Sequence, residues 1–361
     1  MTGVDFSPLI QLMLLGLALG AVPLAVWGLR TRGVPAAVRL RRLCLLTAFL
    51  TFDLVVFGAF TRLSDSGLGC PDWPGCYGEM SPIAAHADIA AEMAQRPHGP
   101  VTHTKAWVEM VHRYWASAVG FLILVQAGLA LYWRSHLHRS VPWLAGASLV
   151  WVVIQGVFGA WTVTWGLFPA IVTAHLLGGL ILLALLVSMA WALDRSTWWA
   201  SAGQRWALRG ALGLTVLQIL LGGWVSTNYA VMSCPDFPTC HGQAWPPMDW
   251  AQGFEVWREL GVTAGGEALP ASALTAIHMA HRLGALAVTS ALLAVAFALR
   301  RGQARAALGL VVLTTVQVFT GISNVVLGWP LVAALVHSAG AAALLVLLLH
   351  LSLGASEGQK S

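Results

Sequence analysis

The chain has 361 residues, of which 58% are hydrophobic and only 10% are charged, whereas a soluble domain carries about 25% charged residues. Such a composition cannot cover a protein with polar surface, so it excludes two soluble domains, a disordered tail, a nucleic-acid-binding module and a disulfide-rich toxin. The net charge of +5 comes from basic residues in short segments between apolar runs. We therefore predict a membrane protein that crosses the lipid bilayer several times.

Nine apolar runs are long enough to cross a bilayer, which takes about 20 residues of helix. They cover about residues 8–29, 43–63, 107–133, 143–163, 168–193, 206–226, 273–299, 306–327 and 330–352. The first run has no basic segment before it and is followed by Arg30 and Arg32, so we expect a retained helix rather than a cleaved signal peptide. The predicted fold class is an all-α, polytopic membrane protein with nine transmembrane helices.

Most of the 20 basic residues lie in alternate connections, on one side of the predicted spans. They are Arg30, Arg32, Arg39, Arg41, Arg42, Arg134, Arg139, Arg195, Arg205, Arg209, Arg300, Arg301, Arg305 and Lys360. Because cytoplasmic loops are enriched in Lys and Arg, we expect this side and the C-terminus to face the cytoplasm. The N-terminus and the long loops 64–106 and 227–272 then lie outside, in the periplasm of a Gram-negative cell.

The chain contains one pattern twice. The repeated elements are Cys70-Pro71-Asp72-Trp73-Pro74-Gly75-Cys76 and Cys234-Pro235-Asp236-Phe237-Pro238-Thr239-Cys240, then Glu109-Met110-Val111-His112-Arg113 and His278-Met279-Ala280-His281-Arg282, then Gln155 and Gln317, and finally His175 and His337. We predict two pseudo-symmetric four-helix bundles, at 43–193 and 206–352. An extra helix and a cytoplasmic loop in 1–42 precede them, a cytoplasmic linker at 194–205 joins them, and a tail at 353–361 follows.

Four histidines share a similar depth in the predicted spans: His112, His175, His281 and His337. Each lies roughly five to eight residues inside a span, or about 8–12 Å below the outer surface. A haem iron takes two axial imidazoles, and facing helices of a bundle can hold such a pair. The alternatives are hydrogen-bonded helix contacts and zinc, which is disfavoured because the second half has no carboxylate or cysteine at that depth. We favour one haem iron per bundle.

Glu109 breaks the symmetry of the two halves. It stands three residues before His112 on the same helix face, and its counterpart in the second half is His278. A carboxyl group inside a membrane is a functional candidate, although a salt bridge to Arg113 or Arg62 is the structural alternative. The asymmetry favours a reacting site in the first bundle beside a resident cofactor in the second.

The cysteine pairs lie in the two loops expected outside the membrane, where disulfides persist. Each pair can close a short loop, Cys70 with Cys76 and Cys234 with Cys240. A structural disulfide and a redox-active dithiol both remain open for these pairs.

Three arginines lie near the outer ends of their spans, namely Arg62, Arg113 and Arg282. They could bind haem propionates as bidentate donors, or they could extend to the membrane interface. Cys44 is expected in the core, and Asp53 has no assigned role.

Together these motifs resemble the haem A synthase family. The phrases that carry the resemblance are Gly58-Ala59-Phe60-Thr61-Arg62-Leu63, Ser66-Gly67-Leu68-Gly69-Cys70-Pro71-Asp72-Trp73-Pro74 and the two histidine motifs, and the resemblance extends over about residues 43–352. It implies eight spans in two pseudo-symmetric bundles, so the extra span at 8–29 departs from the pattern. It also implies an oxidoreductase acting on CH or CH2 groups, which oxidises the C8 methyl group of haem O to a formyl group by successive hydroxylation and so supplies haem A to cytochrome oxidase.

The resemblance also assigns residues. It implies that His281 and His337 are the iron ligands of a haem b cofactor, that His112 and His175 are the ligands of the substrate haem O, and that Glu109 is catalytic. It implies extracytoplasmic cysteine pairs, Cys70 with Cys76 and Cys234 with Cys240, and some family members lack one or both of them.

The implied partners are haem O and haem A, a haem O synthase, cytochrome oxidase assembly factors, an electron donor or acceptor and the lipid bilayer, with no nucleic acid. Two other functions remain as alternatives. One is an electron-transfer cytochrome with two b-type haems, and the other is a membrane thiol-oxidoreductase in which the cysteines carry the chemistry.

Overall fold

The structure, a computed structural model, describes residues 7–357. Within that range nine helices are long and apolar enough to cross a membrane, which confirms the prediction of an all-α polytopic membrane protein. They are α1 (Ser7–Arg30), α2 (Ala36–Leu63), α4 (His103–Tyr132), α5 (Ser140–Thr164), α6 (Pro169–Ala192), α7 (Ala202–Thr227), α9 (Ala271–Leu299), α10 (Ala304–Val326) and α11 (Leu331–Gly354).

Among the described residues, shorter elements lie outside the long helices. Two short helices, α3 (His86–Gln95) and α8 (Trp250–Gly253), belong to the long loops, and Trp198–Trp199 (β1) pairs in parallel with Ala355–Ser356 (β2). Residues 1–6 and Lys360, which contributed to the predicted boundaries and orientation, lie outside the described residues.

The largest difference between a predicted run and an observed helix is at α2. This helix begins at Ala36 rather than near residue 43, because Arg39, Arg41 and Arg42 continue it beyond its apolar run. Arginine is a good helix former, and hydropathy detects only the part of a helix that suits lipid. For the same reason hydropathy does not detect α3. Its alanines favour a helix, but the segment is too short and too polar to be recognised as a membrane span.

The chain divides into two compact units, and the boundary passes through α6. The first unit comprises the described residues up to Leu167 together with Ile181–Asp194. Its central helix is α4, which packs against α1, α2 and α5. Cys44 is buried in this unit, as expected of a core residue, with its Sγ 3.1 Å from the Leu186 carbonyl oxygen.

The extra helix α1 is attached to α4 through two glycines spaced four residues apart. Gly16 and Gly20 are buried, and a Cβ on Gly16 would lie 2.5 Å from the Cβ of Ser117. A Cβ on Gly20 would lie 2.7 Å from the Phe121 ring. Small residues at this spacing let membrane helices approach closely, since packing rather than water exclusion drives their association. The addition to the eight-helix pattern therefore rests on the helix that carries Glu109 and His112.

The second unit comprises Phe168–Leu180 and the described residues from Arg195. Its four long helices contact one another in a ring, in the order α7, α9, α10, α11. Leucines close the core between them, among them Leu208, Leu292, Leu310 and Leu348. Ser201 and Gln204 form a reciprocal capping box at the start of α7, which satisfies backbone donors that have no partner within the helix.

The two cysteine-containing loops have the same local structure. Cys70 is disulfide-bonded to Cys76, and Cys234 is disulfide-bonded to Cys240. In the first loop the Asp72 carboxylate accepts hydrogen bonds from the backbone N–H groups after Cys76, and Asp236 does the same in the second loop. This aspartate follows the proline after the first cysteine, so the motif itself supplies the acceptor that folds the loop back.

Hydrogen bonds lower the pKa of Asp236 to about 2, above all the one from the Thr239 hydroxyl, followed by those from the Gly242 and His241 backbone N–H groups. The donors favour the charged form of the carboxyl group. A group whose pKa is lower in the folded state stabilises that state above its ordinary value, here 3.8, and loses the effect as the pH falls towards 2.

We predict that Gly16→Val detaches α1 from α4 and lowers the thermal stability of the purified protein. Overpacking at such a contact costs about 1–3 kcal/mol. Gly28→Val is the matched control, because it lies on the same helix and a Cβ there would meet no atom within 4 Å. The measurement is the midpoint of thermal unfolding in detergent, and equal midpoints for the two variants would contradict the packing role of Gly16.

We predict that Asp236→Asn speeds the reduction of the Cys234–Cys240 disulfide by a phosphine several-fold above pH 4. The variant loses the charge that accepts the hydrogen bonds of the loop, and the ratio of variant to wild-type rates should fall towards one as the pH drops through 2, where half of wild-type Asp236 becomes protonated. Alkylation and mass spectrometry measure both rates at each pH, so the ratio removes the pH dependence of the reagent. A ratio that is constant from pH 5 to pH 2 would argue against the role of the carboxylate charge.

Candidate functional site

Glu109 is buried in the first unit, where its side chain is only 5% exposed. It lies in the second turn of α4, a helix that begins after the Thr102 hydroxyl caps the Lys105 N–H. One carboxylate oxygen, Oε2, accepts a hydrogen bond of 2.9 Å from the Cys70 backbone N–H. The other, Oε1, is ion-paired with Arg113 one turn further along the helix. The salt bridge considered as an alternative from the sequence is therefore formed with Arg113.

Arg113 connects this carboxylate to the disulfide loop. Its Nη1 donates to the backbone carbonyl oxygens of Pro74, at 3.2 Å, and of Gly75. A buried ion pair is favourable only when further hydrogen bonds satisfy both partners, and here the loop backbone supplies them. Glu109, Arg113 and the loop closed by Cys70 and Cys76 consequently form one polar network.

His112 lies on the same helix, beside α2. Its ring stacks on the Phe57 ring with centroids 6.2 Å apart, and a Cβ on Gly58 would lie 3.1 Å from its Cε1. Gly58 thus leaves room for the imidazole. His175 belongs to the second unit, so the pairing of His112 with His175 stays a prediction. Within the described residues, the buried Nδ1 of His175 has no hydrogen-bond partner.

In the second unit, α9 and α11 bring the rings of His281 and His337 close together. Their ring centroids are 6.4 Å apart, and the ring planes are inclined by 75°. An imidazole nitrogen binds a metal at about 2 Å and lies about 1 Å from its own ring centre, so two axial imidazoles on one iron have centres about 6 Å apart. Two neutral nitrogen donors at this separation are the ligand set of a six-coordinate haem, and the residues fit that group.

Two glycines make room beside these imidazoles. A Cβ on Gly222 would lie 2.9 Å from the His281 Cε1, and one on Gly321 would lie 3.3 Å from the His337 Cε1. The first distance is shorter than real Cβ contacts, so the His281 ring can occupy its position only because residue 222 is a glycine. Gly222 precedes Cys234 by the same spacing as Gly58 precedes Cys70, a signal in the sequence that could have identified both.

Two polar side chains reach the Nδ1 atoms of this pair, and sequence reasoning missed both. The Gln218 Nε2 lies 3.0 Å from the His281 Nδ1 and donates to the His281 carbonyl oxygen at the same distance. The Thr320 Oγ1 lies 3.0 Å from the His337 Nδ1. Thr320 stands three residues after Gln317, on the helix that precedes His337, and the sequence contains no signal that pairs it with that ring.

Arg282 is the counterpart of Arg113 in the second unit. Its guanidinium donates to the carbonyl oxygens of Thr239 (2.8 Å), Cys234 (3.0 Å) and Asp236 (2.8 Å). Where the first unit has Glu109, the second has His278, which accepts a hydrogen bond from the Arg282 Nε at 3.2 Å. Both arginines thus bind the backbone of a disulfide loop, and among the described residues a carboxylate is ion-paired with Arg113 but not with Arg282.

Two other residues named above, Arg62 and Asp53, lie in α2. Arg62 lies in the last turn of α2, and Asp53 lies in the middle of the same helix, with no assigned role. The propionate contacts expected of Arg62, Arg113 and Arg282 stay predictions.

Comparison with known proteins gives consistent matches over most of the chain. The family model COX15-CtaA, described as cytochrome oxidase assembly protein, matches residues 41–349. The haem A synthase of Shewanella oneidensis is 37% identical over 313 residues, which cover 85% of this chain and 94% of that protein. The haem A synthase of a Caulobacter species is 30% identical over 327 residues, covering 82% and 90% of the two chains.

The family match begins within α2, so α1 lies outside it, in agreement with the departure from the eight-span pattern. Both copies of the repeated pattern fall inside the matched range, including the two disulfide loops, His112, His175, His281 and His337. The chain therefore belongs to the COX15-CtaA family of cytochrome oxidase assembly proteins.

Proposed function

We propose that this protein is a haem A synthase, an enzyme that oxidises haem O to haem A for cytochrome oxidase. The observation that carries the proposal is the asymmetry of the duplicated histidine motif. The second unit has two facing histidines at a separation suited to one iron, whereas the first unit adds the buried carboxylate of Glu109 three residues before His112. The haem A synthases similar to this chain along most of its length support the same reaction.

The finer chemistry is an oxidation at a methyl group. The C8 methyl group of haem O is converted to a formyl group by successive hydroxylation, so the enzyme is an oxidoreductase acting on CH or CH2 groups. His112 and His175 hold the substrate haem O through its iron, and His281 and His337 hold a haem b cofactor. When bound, haem b supplies one-electron transfer at a potential that its ligands and surroundings set.

Glu109 is the residue of this chain that we assign to the chemistry. The Cys70 N–H and Arg113 hold both of its oxygens in fixed positions, so no reorganisation is needed when charge develops nearby. A carboxylate in this setting can accept a proton or stabilise positive charge at the methyl carbon. The same two contacts also make Glu109 an anchor of the loop, and the experiments below separate the two roles.

The proposed setting is the inner membrane of the cell, with the N-terminus and both disulfide loops in the periplasm and the C-terminus in the cytoplasm. The concentration of Lys and Arg on the opposite side of the spans supports this orientation. Partners would be a haem O synthase, oxidase assembly factors and an electron donor or acceptor.

The decisive experiment is extraction and chromatography of porphyrins from the purified protein, expressed with a source of haem O. We expect haem b together with haem O, a hydroxylated intermediate or haem A. Two unmodified b-type haems per chain would instead favour an electron-transfer cytochrome, and a protein without haem whose activity requires Cys70 would favour a thiol-oxidoreductase.

We predict that His281→Ala and His337→Ala each remove the haem b, whereas His112→Ala leaves haem b bound and removes haem O and its products. The reason is that the two histidine pairs serve different porphyrins. The measurement is the porphyrin content of each purified variant, with His278→Ala as a control on the same helix as His281. Loss of haem b from His112→Ala at normal protein yield would contradict the assignment.

We predict that Glu109→Gln lowers the formation of haem A by about 100-fold or more while both porphyrins still bind, because general acid–base groups contribute at least that much. Arg113→Gln breaks the same ion pair but keeps the carboxylate, so it should lose less activity. Porphyrin conversion in membranes measures both variants. Equal losses would make Glu109 a loop anchor, and full conversion by Glu109→Gln would remove it from the mechanism.

A further inference from the structure

A hydroxyl group on α10 contacts the ring of His337. The Thr320 Oγ1 lies 3.0 Å from the His337 Nδ1 and 2.6 Å from the Val316 carbonyl oxygen. A second carbonyl oxygen, that of Gln317, lies 3.3 Å away on the same helix. The hydroxyl therefore sits between the backbone of its own helix and an imidazole of the next helix.

The hydrogen-bonding capacity of these groups determines where the protons lie. A carbonyl oxygen can only accept, so the single hydroxyl hydrogen of Thr320 is directed to the helix backbone. Its oxygen then has only lone pairs to offer to His337, and the Nδ1 must carry the proton and donate it. A neutral imidazole has one N–H, so the Nε2 of His337 keeps its lone pair.

We infer that Thr320 is a positioning residue, which fixes His337 in the tautomer and ring orientation that presents the Nε2 to iron. This inference rests on the proposed binding of haem b by His281 and His337. A hydrogen bond from the remote nitrogen of a ligating histidine also raises its basicity as a ligand. The contact therefore stabilises the ferric state of a bound haem relative to the ferrous state.

The duplicated half of the chain lacks this hydroxyl. In the alignment of the two halves, where Gln155 matches Gln317 and His175 matches His337, the residue at the position of Thr320 is Phe158. Within the described residues, the buried Nδ1 of His175 has no hydrogen-bond partner. A ligand held firmly by a second hydrogen bond suits a resident cofactor, whereas a substrate must be released after reaction.

The test uses the full-length protein with haem b and the substitution Thr320→Val, which removes the hydroxyl at nearly constant volume. We expect the affinity for haem b to fall by about 10–100-fold, the size typical of losing such a partner. We also expect the midpoint potential of the remaining haem b to become more positive and its ferric low-spin EPR signal to change. Thr320→Ser keeps the hydroxyl and should restore all three properties.

Thr314→Val is the matched control. Thr314 is a buried threonine of α10 whose hydroxyl has no hydrogen-bond partner among the described residues, so its loss should leave affinity, potential and EPR signal as in the wild type. Thr320→Ala also removes the hydroxyl and provides a second variant if Thr320→Val does not accumulate in the membrane.

The outcomes separate this inference from the proposed function. If His337→Ala loses haem b while Thr320→Val keeps the wild-type affinity, potential and EPR signal, the inference about Thr320 is wrong and the haem b site stands. If His337→Ala keeps haem b with an unchanged EPR signal, His337 is not a ligand, and both the assignment and the inference fail.

Discussion

The contact on which both halves of this protein depend joins an arginine near one end of a long helix to the carbonyl oxygens of a disulfide loop. Arg113 and Arg282 each follow a histidine directly, and each binds the backbone of its own loop. A guanidinium group with several fixed donors suits this task better than a lysine would. Because the arginine and the histidine are neighbours on one helix, the contact ties the loop to the helix turn that carries the histidine.

The chain contains two copies of this arrangement, and they differ in the side chains beside it. In the first copy a carboxylate, Glu109, completes the network between Arg113 and the loop; in the second copy His278 stands at that position. The second copy in turn has Thr320 beside an imidazole, where the first has Phe158. The charged partner lies in the copy proposed to react, and the fixed histidine lies in the copy proposed to keep its cofactor.

Much of the site could be predicted because its residues occur twice in the same order. The four histidines and the cysteine pairs could be located in this way, and Glu109 could be located as the position at which the two copies differ. Thr320 could not, because a threonine in an apolar helix most often bonds its own backbone, and nothing in the sequence indicates which ring its oxygen also meets. The partner of Arg113 was likewise open, since a long flexible side chain can reach a carboxylate, a carbonyl oxygen or the membrane interface.

By itself the sequence determined the membrane spans, their number and the twofold repeat, because lipid requires about 20 apolar residues for each crossing helix and duplicated motifs keep their order. Only the tertiary structure decided the contacts between side chains of different helices. It brought His281 and His337 to a separation of 6.4 Å and directed Arg282 to the loop carbonyls. It also seated α1 on α4 through Gly16. These contacts depend on how each helix is rotated about its axis and on where a glycine permits close approach. The hydropathy pattern of the sequence gives neither the rotation nor the place of close approach.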